Sequence, residues 1–459
     1  MIVAALGLVA MGAWAVGADV PGWRLDGAGR YVNARPPLTW SAQDNVVWKQ
    51  PLERWSNASP VLLGDRIFIG MEPSSLVCLS RKDGTVLWTR PNPIEDTLDT
   101  DEARADYAAK QAELAKANQE LKDARARRSA MAKQVKETPE DEAAQAAMKE
   151  LTKEFNQARD RQRALQAQVM PPTHGTNGYT TPTPLTDGQR VFALFGTGVL
   201  ACYDLEGQRQ WIRWIGTPVD RYGHSASLVF SGGRLIAHVG RTVHGLEPAS
   251  GKTLWTAPSR GTYGTPVALR IGEEDAVLTN GGDIVRARDG RVLCSKVGSM
   301  PFTSPIVADG VIYLADHPAA RAVRLPTEAV DSFEPDVLWE IRWKKRPHRE
   351  RYYASPVVHD GLFYALNQRG DLLVLDAGTG EEIYVHRIPE LKGTMYPSLT
   401  LAGDWMFASS DQGVTVVFKP GREFEAKAVN RLEPFRSSPV FAEDRLYIRT
   451  LKHLFCLAP

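Results

Sequence analysis

A degenerate repeat of about 42 residues can be counted eight times along this chain, and eight such units account for about three quarters of its 459 residues, so the repeat dictates the fold. Each unit opens with Ser-Pro-Val or a relic of it, followed by a turn bearing Gly or Asp and then an apolar run. The openings are Ser59-Pro60-Val61, Thr183-Pro184-Leu185, Ala226-Ser227-Leu228, Thr265-Pro266-Val267, Ser304-Pro305-Ile306, Ser355-Pro356-Val357, Pro397-Ser398-Leu399 and Ser438-Pro439-Val440. About 29 residues later most units reach a Trp or its stand-in, namely Trp88, Trp211, Trp255, Cys294, Trp339, Tyr384 and Phe424. The eighth unit lacks one. Its missing piece sits at the other end of the chain, where Asn45-Val46-Val47-Trp48-Lys49 reads as a fourth strand.

Short β-runs separated by turn residues, at a fixed period of roughly 40 residues, are the signature of four-stranded propeller blades. Completing the last blade with the first strand closes the ring and removes the sheet edges that would otherwise template aggregation. The expected fold is therefore all-β: an eight-bladed β-propeller closed by the N-terminal strand, with an inserted antiparallel α-helical hairpin. Residues 372–384 show the hairpin within a unit, with Asp376 placed to bond nearby backbone N–H groups and Gly to take a positive φ. The same pattern recurs at residues 78–88, 202–211 and 245–255. Trp48, Trp88, Trp211, Trp255, Trp339, Tyr384 and Phe424 read as wedges packed between blades, where a large ring buries much area.

The pattern apolar-x-Asp-x-x-(Thr)-Gly-x-x-Leu-Trp, paired with Ser-Pro-Val at blade starts, resembles the quinoprotein-type repeat of PQQ-like β-propellers over residues 40–91 and 175–459. The resemblance implies a superfamily that holds PQQ-dependent alcohol and glucose dehydrogenases and also non-catalytic, BamB-like envelope proteins. Fold alone does not choose between them. It further implies that a dehydrogenase would hold Ca²⁺ with carboxylate and amide oxygens, use an Asp base and often carry adjacent cysteines. This chain has no Cys-Cys pair and no matching acid and amide cluster, Asp220 being the one acid of the mouth segments in suitable company.

Fifty-five Lys and Arg against 54 Asp and Glu leave a net charge of +1, which gives no reason to expect nucleic acid. Residues 2–18 are apolar and end in Val16-Gly17-Ala18, a small-residue site of the kind a signal peptidase cuts, although no Lys or Arg precedes the apolar run. Residues 1–18 are read as a signal peptide, and export to a periplasm-like space or the cell envelope follows. The run is short for a spanning helix, an uncleaved anchor is the alternative, and with no Cys after it lipid attachment is not expected. Cys78, Cys202 and Cys456 hold equivalent places in three units, too far apart for disulfides, and all four cysteines read as small core residues.

Residues 92–170 differ in composition, rich in Ala, Glu, Lys, Arg and Gln and without Gly or Trp. Residues 101 to about 136 predict one helix, with Tyr107, Leu114, Leu121, Met131 and Val135 along a seam. Thr138 as N-cap and Pro139 at the first position predict a second, running to about Val169 with Met148, Leu151, Phe155 and Leu165 facing the first, ended by Pro171-Pro172. Such a hairpin would project about 50 Å from the disc, on the face bearing the channel mouth. It is either a solvated spur or a docking arm whose sparse apolar stripe takes a partner. The expected boundaries are 19–91 for the closing strand and first blade, 92–170 for the hairpin and 171–459 for blades two to eight.

Arg or an aromatic, often both, precedes most inner strands: Arg54, Trp55, Tyr179, Arg221, Tyr222, Arg260, Tyr263, Phe302, Arg351, Tyr352, Tyr396, Phe435 and Arg436. In a propeller these ring the channel mouth. They would suit an anionic, planar or carbohydrate ligand by bidentate hydrogen bonds and stacking, PQQ among them, or else plug gaps while the Arg groups pair with acids such as Asp220 and Glu53. A basic loop, residues 342–351, lengthens the fifth unit on the same face and could attract an acidic partner. The nine histidines show no metal-ligand spacing, and no Gly-x-Ser-x-Gly elbow or phosphate loop occurs. The sequence thus favours a non-enzymatic scaffold binding an envelope protein, without cofactor and without a membrane span once the signal is cut. The alternatives are a PQQ- and Ca²⁺-dependent dehydrogenase and a propeller binding a ligand at its mouth.

Overall fold

The structure is a computed structural model that describes residues 19–459 apart from Val219, Thr262, Pro318 and Lys345. The proposed signal peptide lies outside the described residues. Eight antiparallel sheets are arranged as propeller blades. Seven of them, numbered as blades 1–7, span residues 61–91, 185–214, 229–258, 267–294, 306–342, 357–387 and 400–431. Blade 8 combines residues 440–457 with strand β2, Val46–Pro51, whose Trp48 pairs with Cys456. Blade 7 carries a fifth strand that the repeat does not announce: β1, Arg30–Tyr31, runs parallel to residues 400–402 at the inner edge.

The apolar core is a series of slabs between neighbouring sheets. Between blades 1 and 2, for example, Trp88 packs on Phe68 and on Tyr203, with ring centroids 5.9 and 6.0 Å away. Five tryptophans share one docking arrangement. The indole N–H of Trp48, Trp88, Trp211, Trp255 and Trp339 donates to a backbone carbonyl in the turn of the next blade, at 2.9–3.2 Å. Its ring covers that turn's glycine, respectively Gly84, Gly207, Gly251, Gly290 and Gly380. Each of these glycines has φ between +69° and +83°, and a Cβ there would meet the indole at 2.5–2.8 Å. The turn glycine is therefore required twice, by backbone conformation and by the neighbour's ring.

The residue paired with each Trp across the ladder is small: Cys78 faces Trp88, Cys202 faces Trp211, Cys456 faces Trp48, Gly245 faces Trp255 and Ala322 faces Trp339. Where the aromatic shrinks to Cys294 the partner grows to Ile284. All four cysteines are buried and unbridged.

The unit openings have a role of their own. Backbone N–H groups of Ser59, Thr183, Ser227, Ser304, Ser355, Ser398 and Ser438 each donate to the hydroxyl of the corresponding Ser or Thr in the next blade, at 3.0–3.1 Å. The last of these links joins blade 8 to blade 1 through Ser59.

Helices α1 (Asp101–Glu137) and α2 (Glu142–Val169) form the antiparallel hairpin between blades 1 and 2. The cap differs from the sequence expectation. Asp141 caps α2 by accepting from the Ala144 N–H at 3.0 Å, whereas the Thr138 hydroxyl turns back to the Gln134 carbonyl and finishes α1. Leu114, Ala117 and Ala124 are buried in the seam, and no large apolar side chain of either helix is exposed among the described residues. No helix among the described residues is long and apolar enough to cross a membrane.

Residues 19–34 cross the face of the disc opposite the hairpin. Val20 bridges to Leu62 of blade 1, the Pro21 carbonyl accepts from Thr186 of blade 2, and β1 reaches blade 7. In this strap Arg24 is fully buried, its Nη2 donating to the Pro356 and Leu399 carbonyls at 2.8 Å. Burial lowers its pKa to about 10.

Candidate functional site: the channel mouth

The segments joining each outer strand to the next blade's inner strand line a cavity of about 710 Å³ on the hairpin face. A second cavity of about 660 Å³ lies under the strap, and Trp23 borders both, so the strap forms the mouth's floor.

Of the residues the sequence singled out, Arg221, Tyr222, Tyr263, Phe302, Arg351, Tyr396 and Arg436 line the mouth. The others do not. Arg54 and Arg260 are exposed outside it, and Trp55 packs at Gly178. Tyr179 lies at the foot of the hairpin, its hydroxyl donating to the Pro171 carbonyl, and burial pushes its pKa up to about 12. Phe435 is core between blades. Tyr352 is buried with its hydroxyl on the His348 carbonyl, and its neighbour Tyr353 takes the place at the mouth. Extended backbone sends adjacent side chains to opposite sides, so an assignment one residue off picks the wrong ring.

The aromatic groups form a continuous wall. Tyr263 stacks on Phe302 at 5.7 Å, Phe302 meets Tyr353 edge-on at 5.1 Å, and Tyr353 stacks on Tyr396 at 5.2 Å. Arg221 lies over Tyr222, 4.9 Å from the ring centroid, and Arg351 over Phe302 at 5.7 Å. Arg436 donates to the Thr176 carbonyl at 3.2 Å, while its Nε is buried without a partner. Asp220 is occupied: its carboxylate accepts the Tyr263 hydroxyl and, at 2.8 Å, the Tyr222 N–H. Burial, reinforced by that carboxylate, drives the Tyr263 pKa upward.

Two features of the face escaped sequence reading. Glu72, half-buried and with its pKa raised chiefly by desolvation, accepts from Tyr179 N, Thr180 N and the Thr180 hydroxyl at 2.7–2.8 Å and ties the hairpin's return segment to blade 1. In the basic loop, Arg342 pairs with Glu340 and Arg346 with Glu350, both at 2.8 Å, which offsets part of the charge that stood out in the sequence, and His348 hydrogen-bonds to Glu382 at 2.7 Å.

The Ca²⁺ of a quinone enzyme needs converging oxygens. Among the described residues no three His, Cys, Asp or Glu side chains gather as a metal site would require, and the mouth presents guanidinium groups with a single, already engaged carboxylate. These residues do not fit that group.

Structures similar to this one cover nearly the whole chain. BamB from Moraxella catarrhalis aligns over 90% of this chain and 97% of its own at 12% identity and a TM-score of 0.55. Sqt1 of Saccharomyces cerevisiae aligns over 90% and 99% at 9% identity with a TM-score of 0.57. The quinohemoprotein alcohol dehydrogenase ADHIIG from Pseudomonas putida HK5 aligns over 93% and 78% at 12% identity with a TM-score of 0.50. At these identities the likeness is one of fold. No curated protein matches the chain by sequence. A family model does: that of the outer membrane protein assembly factor BamB matches residues 34–127, 160–299 and 239–458, and the chain belongs to that family.

Proposed function

We propose that this protein is a non-enzymatic scaffold of the cell envelope that engages a protein partner through its mouth face. The observation that carries the reading is an asymmetry between the two faces. The helical arm, the mouth cavity and the exposed Tyr222, at 40% exposure, belong to one face, and Trp214, at 51%, ends the outer strand of blade 2 that leads into it, while the strap covers the other face. Tyr222 sits at the foot of the arm, its carbonyl accepting from Asn177 at 2.8 Å and its ring 5.2 Å from His174. Exposed aromatics beside a projecting element are what a protein interface uses. Membership of a family described by outer membrane protein assembly supports the envelope setting, as does the apolar leader read from residues 2–18.

The test is photo-crosslinking in the native envelope, with the reactive group placed at Trp214, Tyr222 and mid-arm Gln119, and at Val32 of the strap as the opposite-face control. Adducts to one envelope protein from the first three positions and none from Val32 are expected. Adducts distributed evenly over both faces, or none from the mouth face, would overturn the reading.

A further inference from the structure

We propose that the mouth cavity is a carboxylate-binding site, taking an acidic peptide segment of the partner or a free polycarboxylate; the inference rests on the mouth face being the binding face. Some arginines elsewhere in the molecule sit in carboxylate pairs, such as Arg190 with Asp187 and Arg286 with Asp289, both at 2.7 Å. Arg221, Arg351 and Arg436 enter from blades 3, 6 and 8 and have no carboxylate within 4.0 Å among the described residues. They are held by rings, hydroxyls and a carbonyl, which fix a guanidinium without neutralising it: Arg221 donates to the Tyr222 hydroxyl at 3.2 Å, Arg351 to the Tyr353 hydroxyl at 3.4 Å. With Asp220 already engaged, the cavity keeps an uncompensated positive charge.

The hydroxyl ring points the same way. Thr183, Ser227, Thr265, Ser355, Ser398 and Ser438 all line the cavity and each accepts a backbone N–H, so the oxygen is used while the hydroxyl proton remains to be given. None of the six donates to a protein acceptor among the described residues. A rim of guanidinium forks over a floor of O–H donors is complementary to a ligand that only accepts. Four aromatic rings along one wall favour an anion carried on a carbon skeleton over a bare inorganic one.

Isothermal titration of the intact protein with an end-blocked tri-glutamate peptide, with citrate and with inorganic phosphate tests this. Saturable binding of the peptide or of citrate is expected, weakened about tenfold or more by Arg351→Gln and by Arg436→Gln, and unchanged by Arg342→Gln, which removes a charge outside the cavity. Binding of the peptide alone assigns the ligand to a protein segment, and binding of citrate alone to a small molecule. Trp23→Phe should remove a ligand-dependent change in tryptophan fluorescence while leaving the heat of binding, which places the ligand over the strap. Absence of saturable binding by both carboxylates, equal affinity for phosphate, or indifference of folded Arg351→Gln and Arg436→Gln proteins would overturn the proposal. Cross-links from Trp214 would survive that result, so the site can fail without the scaffold reading failing.

Discussion

At the scale of single residues, reciprocity between neighbouring blades accounts for identities that a repeat count merely records. A tryptophan of one blade, the glycine it covers in the next and the small residue beneath it vary together, which is why three of the units carry cysteine at a place where no bridge could form. The spacing made the tryptophans legible; the glycine's second reason lies across a blade boundary and was not. Buried histidines hold a further consequence. His224 and His238 are buried, with His224 Nε2 and both ring nitrogens of His238 unpartnered. Burial lowers their pKa values from 6.5 to about 4 and about 3, His238 being pushed further by its neighbours His224 and His244. Both remain neutral when folded and take protons on unfolding. Their contribution is therefore intact above pH 6.5 and erodes as the pH falls toward 4 and then 3. At about pH 5 the loss should be about 2 kcal/mol for each. Denaturant unfolding at pH 7 and pH 5 checks this. The drop should shrink in a His224→Gln, His238→Gln protein, and an unchanged drop would assign the acid sensitivity elsewhere.

At the scale of elements, the hairpin was visible from composition because helix formers without glycine contrast with strand-rich flanks. Its cap was misassigned because Thr138 and Asp141 can both accept from a backbone N–H, and only the turn's geometry decides which faces α2. The seam residues are spent on the partner helix, so the arm offers charged groups rather than an apolar stripe for docking. An inter-helix ion pair, Arg161 with Glu120 at 2.9 Å, and Arg128 over Phe155 at 4.0 Å brace it internally. Asn92 should be kept in any deletion, since it accepts the Tyr203 hydroxyl at 2.6 Å and donates to the Ser74 carbonyl. Replacing residues 99–168 by a short Gly-Ser linker should leave the propeller's unfolding midpoint within about 3 °C of the parent. A large fall in a thermal melt would mean that the arm supports the disc.

For the whole molecule, the eight blades and the N-terminal contribution to the last one were readable from the repeat, whereas the strap was not, because residues 19–34 carry no repeat and their partners are scattered from Leu62 of blade 1 to Ala402 of blade 7. Arg24 shows the difficulty: a lone arginine in a loop predicts exposure, yet here backbone carbonyls of blades 6 and 7 take the place of water. The mouth was legible as a region but not as a set, since the shared hydroxyls serve as spacing marks until the ring is assembled. Arg24→Met should destabilise the protein by about 3 kcal/mol, because two buried carbonyls lose their donor, and chemical denaturation would read the change. A loss below about 1 kcal/mol would show the strap to be an accessory rather than a brace.

The pairing of Trp48 with Cys456 also sets an order of events. Strand β2 waits, unpaired, until residues 453–457 have been made, after every strand of blades 1–7. Contacts of such long sequence separation form slowly, and an unpaired edge invites wrong partners in the interval. Blade 8 is therefore the last to close, and the ring stays open while every other blade is being made.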